Sequence, residues 1–117
     1  MEVLERNGGM KMEAIKLKQV GLRDMKRMEE ESLSNYVTIT QHQKGEMPIE
    51  TKLMLEGYEC YFIMVNDNVI GKIEIEYDKD ECTILLFMLQ KDYHEQELQN
   101  QIIEHIKTMY PEAKHWN

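Results

Sequence analysis

Apolar and polar positions change their spacing twice along this chain, and each change marks a new set of elements. From Met12 the stretch MEAIKLKQV sets Ile15 and Leu17, followed by Gln19, on one face, which predicts a first β-strand. Beyond Gly21 the residues Leu22, Met25 and Met28, then Leu33 and Tyr36, recur three to five apart among charged neighbours, and an amphipathic helix is expected over 21–34. Residues 36–47 (YVTITQHQKGEM) are polar overall and run into a glycine, so a loop is expected there, the most mobile part of the chain. PIETKLMLEG then reads as a short helix, with Pro48 in its first turn and Gly57 just past its end.

From Tyr58 the spacing becomes that of strands. YECYFIMV, the turn NDN and VIGKIEIEY predict an antiparallel hairpin in which Ile73, Ile75 and Tyr77 alternate with Lys72, Glu74 and Glu76, the latter forming a wet face. A second turn, DKDE, leads into CTILLFML, whose nearly continuous apolar run suggests a central strand buried on both faces. The last element carries Leu98, Ile102, Ile103, Ile106, Met109 and Tyr110 at helical spacing and stops before Pro111, so a helix is expected to pack back on the sheet. The fold class is therefore α+β, with one domain over 12–117. The charged, glycine-paired opening MEVLERNGGMK lacks both period and caps, and residues 1–11 are expected to be a disordered extension dispensable for folding. Codons for the Asn-Gly-Gly of this extension can also spell a ribosome-binding site ahead of Met12, which makes Met12 a second candidate translation start.

Composition narrows the function classes. With 117 residues, 42% of them hydrophobic, the chain can fill one modest core. Asp and Glu number 22 against 14 Lys and Arg, and the resulting charge of -8 repels phosphate backbones and acidic membranes, so neither nucleic acid nor membrane is expected as a partner. No apolar run approaches the roughly 20 residues that span a bilayer, and no signal pattern opens the chain, so a cytoplasmic location is expected. Cys60 and Cys82 fall inside predicted strands and read as small buried apolar residues, with a structural disulfide the weaker reading. His42, His94, His105 and His115 are scattered, and HEQEL at 94–98 lacks the second histidine of a zinc-protease helix, so no metal is expected. Neither a GxSxG elbow nor a phosphate loop of the GxxxxGK type is present. The ten methionines fall mostly at predicted core positions, where Met fills irregular gaps, and a methionine-rich binding groove is the minority reading.

The stretch LQKDYHEQELQ, between the buried strand and the last helix, resembles the coenzyme loop of the GNAT family of N-acetyltransferases. That family often carries V-x-P-x-Y-R-G-x-G-x-G/A here, before a run of leucines. Leu89 falls on the Val, Asp92 and Tyr93 on the acidic and aromatic pair, His94 on the Arg, and Ile102 and Ile103 on the aliphatic pair of the helix. The order of elements over about 12–113 is similar to the first two-thirds of the family's domain. The resemblance implies a GNAT-like partial fold and an ancestral acetyl-CoA site. In such a site Phe87 and Leu89 would meet the acyl and pantetheine portions by backbone contact, and His94, Glu95, Gln96, Glu97 and Gln99 would face the pyrophosphate.

The chain departs from the family at its most specific motif. The three glycine positions are occupied by Glu95, Glu97 and Gln99, so a Cβ stands wherever the backbone should approach the pyrophosphate. Two of the three are carboxylates, and like charges 4 Å apart cost about 4 kcal/mol at an effective dielectric near 20. Asp92 and Glu95 instead have the D-x-x-E spacing of a helix cap and its capping box. A further departure is that the chain ends at AKHWN, where the family continues with a strand, a helix carrying a thiolate-protonating tyrosine, and a hairpin. Neither Tyr93, at the cap, nor Tyr110, in the apolar stripe, replaces that tyrosine.

The leading expectation is thus a truncated, degenerate GNAT-like module for protein interaction or regulation, without cofactor or catalytic residues. The alternative is a small acyl-CoA-dependent N-acetyltransferase, with acetyl-CoA as cofactor, completed by dimerisation. A homodimer or another protein partner is expected in either case, because CTILLFML would be an apolar edge strand without Pro, Lys or Arg to protect it. Leu86 on that edge and Trp116 in the tail are the expected interaction residues. The competing expectation is that the tail folds back as a short strand on its own sheet and leaves a monomer.

Overall fold

Two tight turns build the centre of the fold. In the computed structural model, which describes residues 2–5, 14–21, 23–24, 26–27 and 35–117, strands β4 (Tyr58–Val65), β5 (Asn68–Asp78) and β6 (Glu81–Gln90) form an antiparallel meander. Asn66 and Asp67 connect the first pair with φ of 51° and 66°, the left-handed geometry that two-residue hairpins need and that Asn and Asp tolerate. The second turn puts Lys79 at φ 60°, where a lysine has no local side-chain bond to offset its Cβ. Lys79→Gly is therefore expected to raise the unfolding free energy by about 0.5–1 kcal/mol. A fall in the urea midpoint would contradict this.

Flanking strands complete one sheet in the order β1-β2-β4-β5-β6-β3, with β7 beside β6. Here β1 is Glu2–Glu5, β2 is Ala14–Gln19, β3 is Tyr36–Gln41 and β7 is His115–Trp116. All pairs are antiparallel except β6 with β7. Helix α1 (Ile49–Lys52) follows a 3-10 turn at Gln43–Glu46, and helix α2 (Gln96–Thr108) follows another at Lys91–Tyr93. Of the expected first helix, residues 23–24 and 26–27 are helical and Gly21 is not, and the rest of 21–34 lies outside the described residues. The α+β class is observed, and among the described residues no helix is long and apolar enough to cross a membrane.

The core lies between the sheet and α2. Ile15, Leu17, Ile63, Ile73 and Phe87 point from four strands toward Leu98, Ile102 and Ile106, the stripe that the helical spacing predicts. Three bulges re-aim side chains along the sheet. Ile39, Ile70 and Leu85 are each an extra residue between consecutive pairs, and Ile70 and Leu85 end up buried. The carbonyl of Leu85 accepts a hydrogen bond from the His42 amide at 2.9 Å, which ties the end of β3 to the bulge. Gly45 lies against the same carbonyl, where an added Cβ would sit 2.2 Å from the oxygen, so only glycine fits.

Four expectations are corrected. Residues 36–41, expected as loop, form β3, because the β-branched run Val37, Thr38, Ile39 and Thr40 pairs with β6 and outweighs its polar average. The β6 edge, expected to be open, is closed by β3 along Leu86–Gln90 and by β7 at Glu81 and Cys82. Within the expected disordered extension, Glu2–Glu5 pair with β2 as a strand, and the remainder of 1–11 lies outside the described residues. The expected wet face of β5 is buried, with Lys72 5%, Glu74 0% and Glu76 9% exposed.

Candidate functional site

The junction that carries the acetyltransferase resemblance is held by its own side chains. β6 ends at Gln90, the Lys91–Tyr93 turn follows, and α2 begins only at Gln96. The expected capping box does not form: Glu95, not Asp92, is the residue before the helix, and its side chain makes no cap hydrogen bond. The reason lies in the turn, where Tyr93 packs on the core and the His94 ring nitrogen Nε2 sits 3.3 Å from the Leu89 carbonyl, so the chain closes on β6 before the helix starts. Gln99 Nε2 donates to the His94 carbonyl at 3.4 Å, and Gln96 Nε2 donates to Asn100 Oδ1 at 3.0 Å. Glu95, Gln96 and Glu97 are exposed around the helix N-terminus, where carboxylates suit the helix dipole.

Phe87 and Leu89 are buried against α2 and lie in register with Ile73 and Gly71 of β5 on one side. On the other side they face Thr40 and Val37 of β3. Both edges of β6 are therefore in use where an extended ligand would need a free one. Leu86 is buried between Glu74 of β5 and Gln41 of β3 in the same way. Trp116 sits in β7, with its ring edge-on to Tyr110 at 5.9 Å, and Tyr110 stacks on Tyr77 at 5.8 Å. Both expected interaction residues are thus engaged within their own chain. The tail thus folds back as a short strand on its own sheet.

Behind the junction, on the sheet face away from α2, lies a buried ionic cluster that the alternating pattern did not reveal. Lys52 Nζ donates to Glu74 Oε1 at 2.7 Å and Lys72 Nζ lies 3.0 Å from Glu74 Oε2, and at the cluster's rim the half-exposed Lys44 pairs with Glu76 at 2.9 Å. The short helix explains the placement. Ile49 and Lys52 are three residues apart and share one face of α1; Ile49 packs on Cys60 while Lys52 reaches over to Glu74. That spacing was the available signal, because a lysine on the apolar side of a helix needs a buried acid opposite.

A second polar cluster lies under the end of α2. Glu59 accepts hydrogen bonds from Gln19 at 2.7 Å, Tyr61 at 3.0 Å and Tyr110 at 3.1 Å, and the two phenol oxygens are 3.1 Å apart. Burial, with a further contribution from Glu59, pushes the Tyr61 phenol up to about 12 and raises Tyr110 as well. Burial also pushes the Cys60 thiol up to about 12, with Glu74 adding to it, and Cys82 up to about 11. These groups are held in their neutral forms and are poor nucleophiles at neutral pH.

Both cysteines are free and buried, so Ellman's reagent at pH 8 is expected to titrate neither in the native protein and both in urea. The pH dependence has a definite sign. Each thiol is raised above its ordinary value, so the stability it contributes is complete below about pH 9 and is lost as pH rises through about 11 to 12. Alkaline unfolding in that range, followed by circular dichroism, is the expected outcome. Rapid labelling of the native thiols would contradict the burial.

Among the described residues no group of three or more His, Cys, Asp or Glu side chains is arranged to hold a metal ion. The chain matches no protein-family model, and no curated protein is significantly similar to it.

Proposed function

We propose that the chain is a non-catalytic, GNAT-like interaction module that pairs with a second copy of itself through the outer edge of β3. One observation carries the reading. The strand that fills the far side of β6 becomes the new edge of the sheet, and its sequence YVTITQ has no charge and no proline. Among the described residues no strand pairs with that outer edge. Unpaired amides and carbonyls on an uncharged edge favour strand addition, whereas the opposite edge, β1, carries Glu2 and Glu5. Antiparallel pairing of β3 with its copy around a twofold axis would continue the sheet through both chains. Val37, 37% exposed, and the exposed Thr38 and Thr40 would meet their counterparts across the axis.

Two features support the non-catalytic half of the proposal. The backbone positions at Phe87 and Leu89, which the resemblance assigns to the acyl and pantetheine portions of acetyl-CoA, are already paired with β3. The N-terminus of α2, its place for the pyrophosphate, presents Glu95 and Glu97. Acetyl-CoA is therefore expected to leave the melting temperature unchanged. A ligand at a hundredfold excess over its Kd would add about 2.7 kcal/mol. A saturable rise that disappears in Thr38→Pro would overturn this half. Hydrogen exchange addresses the pairing, since the β3 amides that do not face β6 should be protected in concentrated protein and exchange freely on dilution.

A further inference from the structure

A groove of about 760 Å³ opens at the end of the sheet where β2, the β4–β5 turn and the end of β6 meet. Tyr36, Phe62 and Tyr93, from three separate elements, present half-buried rings to it. Its polar wall is fixed in advance: Tyr36 Oη donates to the Val69 carbonyl at 3.2 Å, and Gln90 Nε2 reaches the same carbonyl at 3.3 Å and Tyr36 Oη at 3.4 Å. The rim carries the exposed cations Lys18 and Arg27, balanced by Asp24 and Asp67.

We propose that this groove binds a small molecule bearing a flat ring and a carboxylate-like anionic group. The ring follows from the three aromatic walls, which offer stacking surface that costs little entropy to hold in place. The sign of the charge follows from what lies behind. The lining charges cancel, but Lys72 is in register with Phe62 of the groove wall, and Lys52 and Lys72 share the one carboxylate of Glu74. That cluster leaves one surplus positive charge in a desolvated position, where it is screened much less than a surface charge. In a chain of net charge -8 this is a local reversal of sign. Arg27 adds a planar fork that matches a carboxylate. The groove uses different residues from the β3 contact, apart from Tyr36, and does not depend on pairing.

The test is a titration of the ¹⁵N-labelled full chain with 3-phenylpropionate, and with phenethylamine as the cationic counterpart of similar size. The expected result is saturable movement of the Asn68, Val69, Ile70 and Gln90 amides with the acid. The double variant Lys18→Gln/Arg27→Gln should bind about tenfold more weakly, and phenethylamine weaker still by a similar factor. Lys18 and Arg27 are exposed, so the rest of the variant's spectrum should match the parent and report an intact fold. Absent or scattered shifts, unchanged affinity in the double variant, or equal binding of the amine would each overturn the proposal.

Discussion

Glu74→Gln is expected to destabilise the fold by about 3–5 kcal/mol, a large part of the roughly 5–15 kcal/mol that a domain of this kind has in total. The carboxylate is fully buried and is the shared partner of Lys52 at 2.7 Å and Lys72 at 3.0 Å. Removing its charge leaves two nearly buried ammonium groups facing each other without compensation, and that desolvation penalty dominates the effect. The same argument predicts recovery when the charges are removed together. The triple variant Lys52→Met/Glu74→Leu/Lys72→Met should regain most of the loss, because apolar side chains of similar volume replace a costly ionic cluster. Urea denaturation of the two variants is the measurement. A single variant within about 1 kcal/mol of the parent would mean that solvent reaches the cluster.

Gly57→Ala should be nearly as damaging through a different cause. Gly57 follows α1 with φ of 79°, and an added Cβ would stand 1.9 Å from the Tyr77 carbonyl oxygen. The Gly57 carbonyl meanwhile accepts from the Tyr77 amide at 3.0 Å, so the clash cannot be relieved without breaking the contact that docks the loop on β5. Backbone strain and the lost bond together are expected to cost about 3 kcal/mol, or about 10 °C in Tm for a domain of this size. Calorimetry checks it. Gly21 has open space around its Cβ position, and Gly21→Ala serves as the control expected to change little.

The parts of the fold that were legible in the sequence are those where one local period meets one neighbour. The strict alternation around Ile73, Ile75 and Tyr77, the apolar run of β6 and the stripe Leu98, Ile102 and Ile106 each specify their element without outside help. Two things were hidden because they depend on distant partners. Alternation at Lys72, Glu74 and Glu76 separates the two faces of a strand but does not say what covers the polar one; Lys52 and Lys44 settle that from 20 or more residues away. YVTITQ reads as loop by polarity and becomes a strand only because β6 offers it an edge. The residues that the resemblance assigns to acetyl-CoA lie at the end of β6 and the start of α2, and their neighbours were not legible in the sequence: β3 supplies them, and the D-x-x-E spacing that suggested a cap lies across a 3-10 turn instead.

Because β3 is both the strand that closes β6 and the edge proposed for pairing, the mass of the chain in solution tests the account most directly. Light scattering on a sizing column at about 50 μM should give twice the 14.0 kDa chain mass, falling toward the single-chain value on dilution and, at the same concentration, in Thr38→Lys/Thr40→Lys, whose new charges would face their copies across the axis. A mass of 14.0 kDa for the unaltered chain at that concentration, or a dimer indifferent to the two lysines, would contradict pairing through β3.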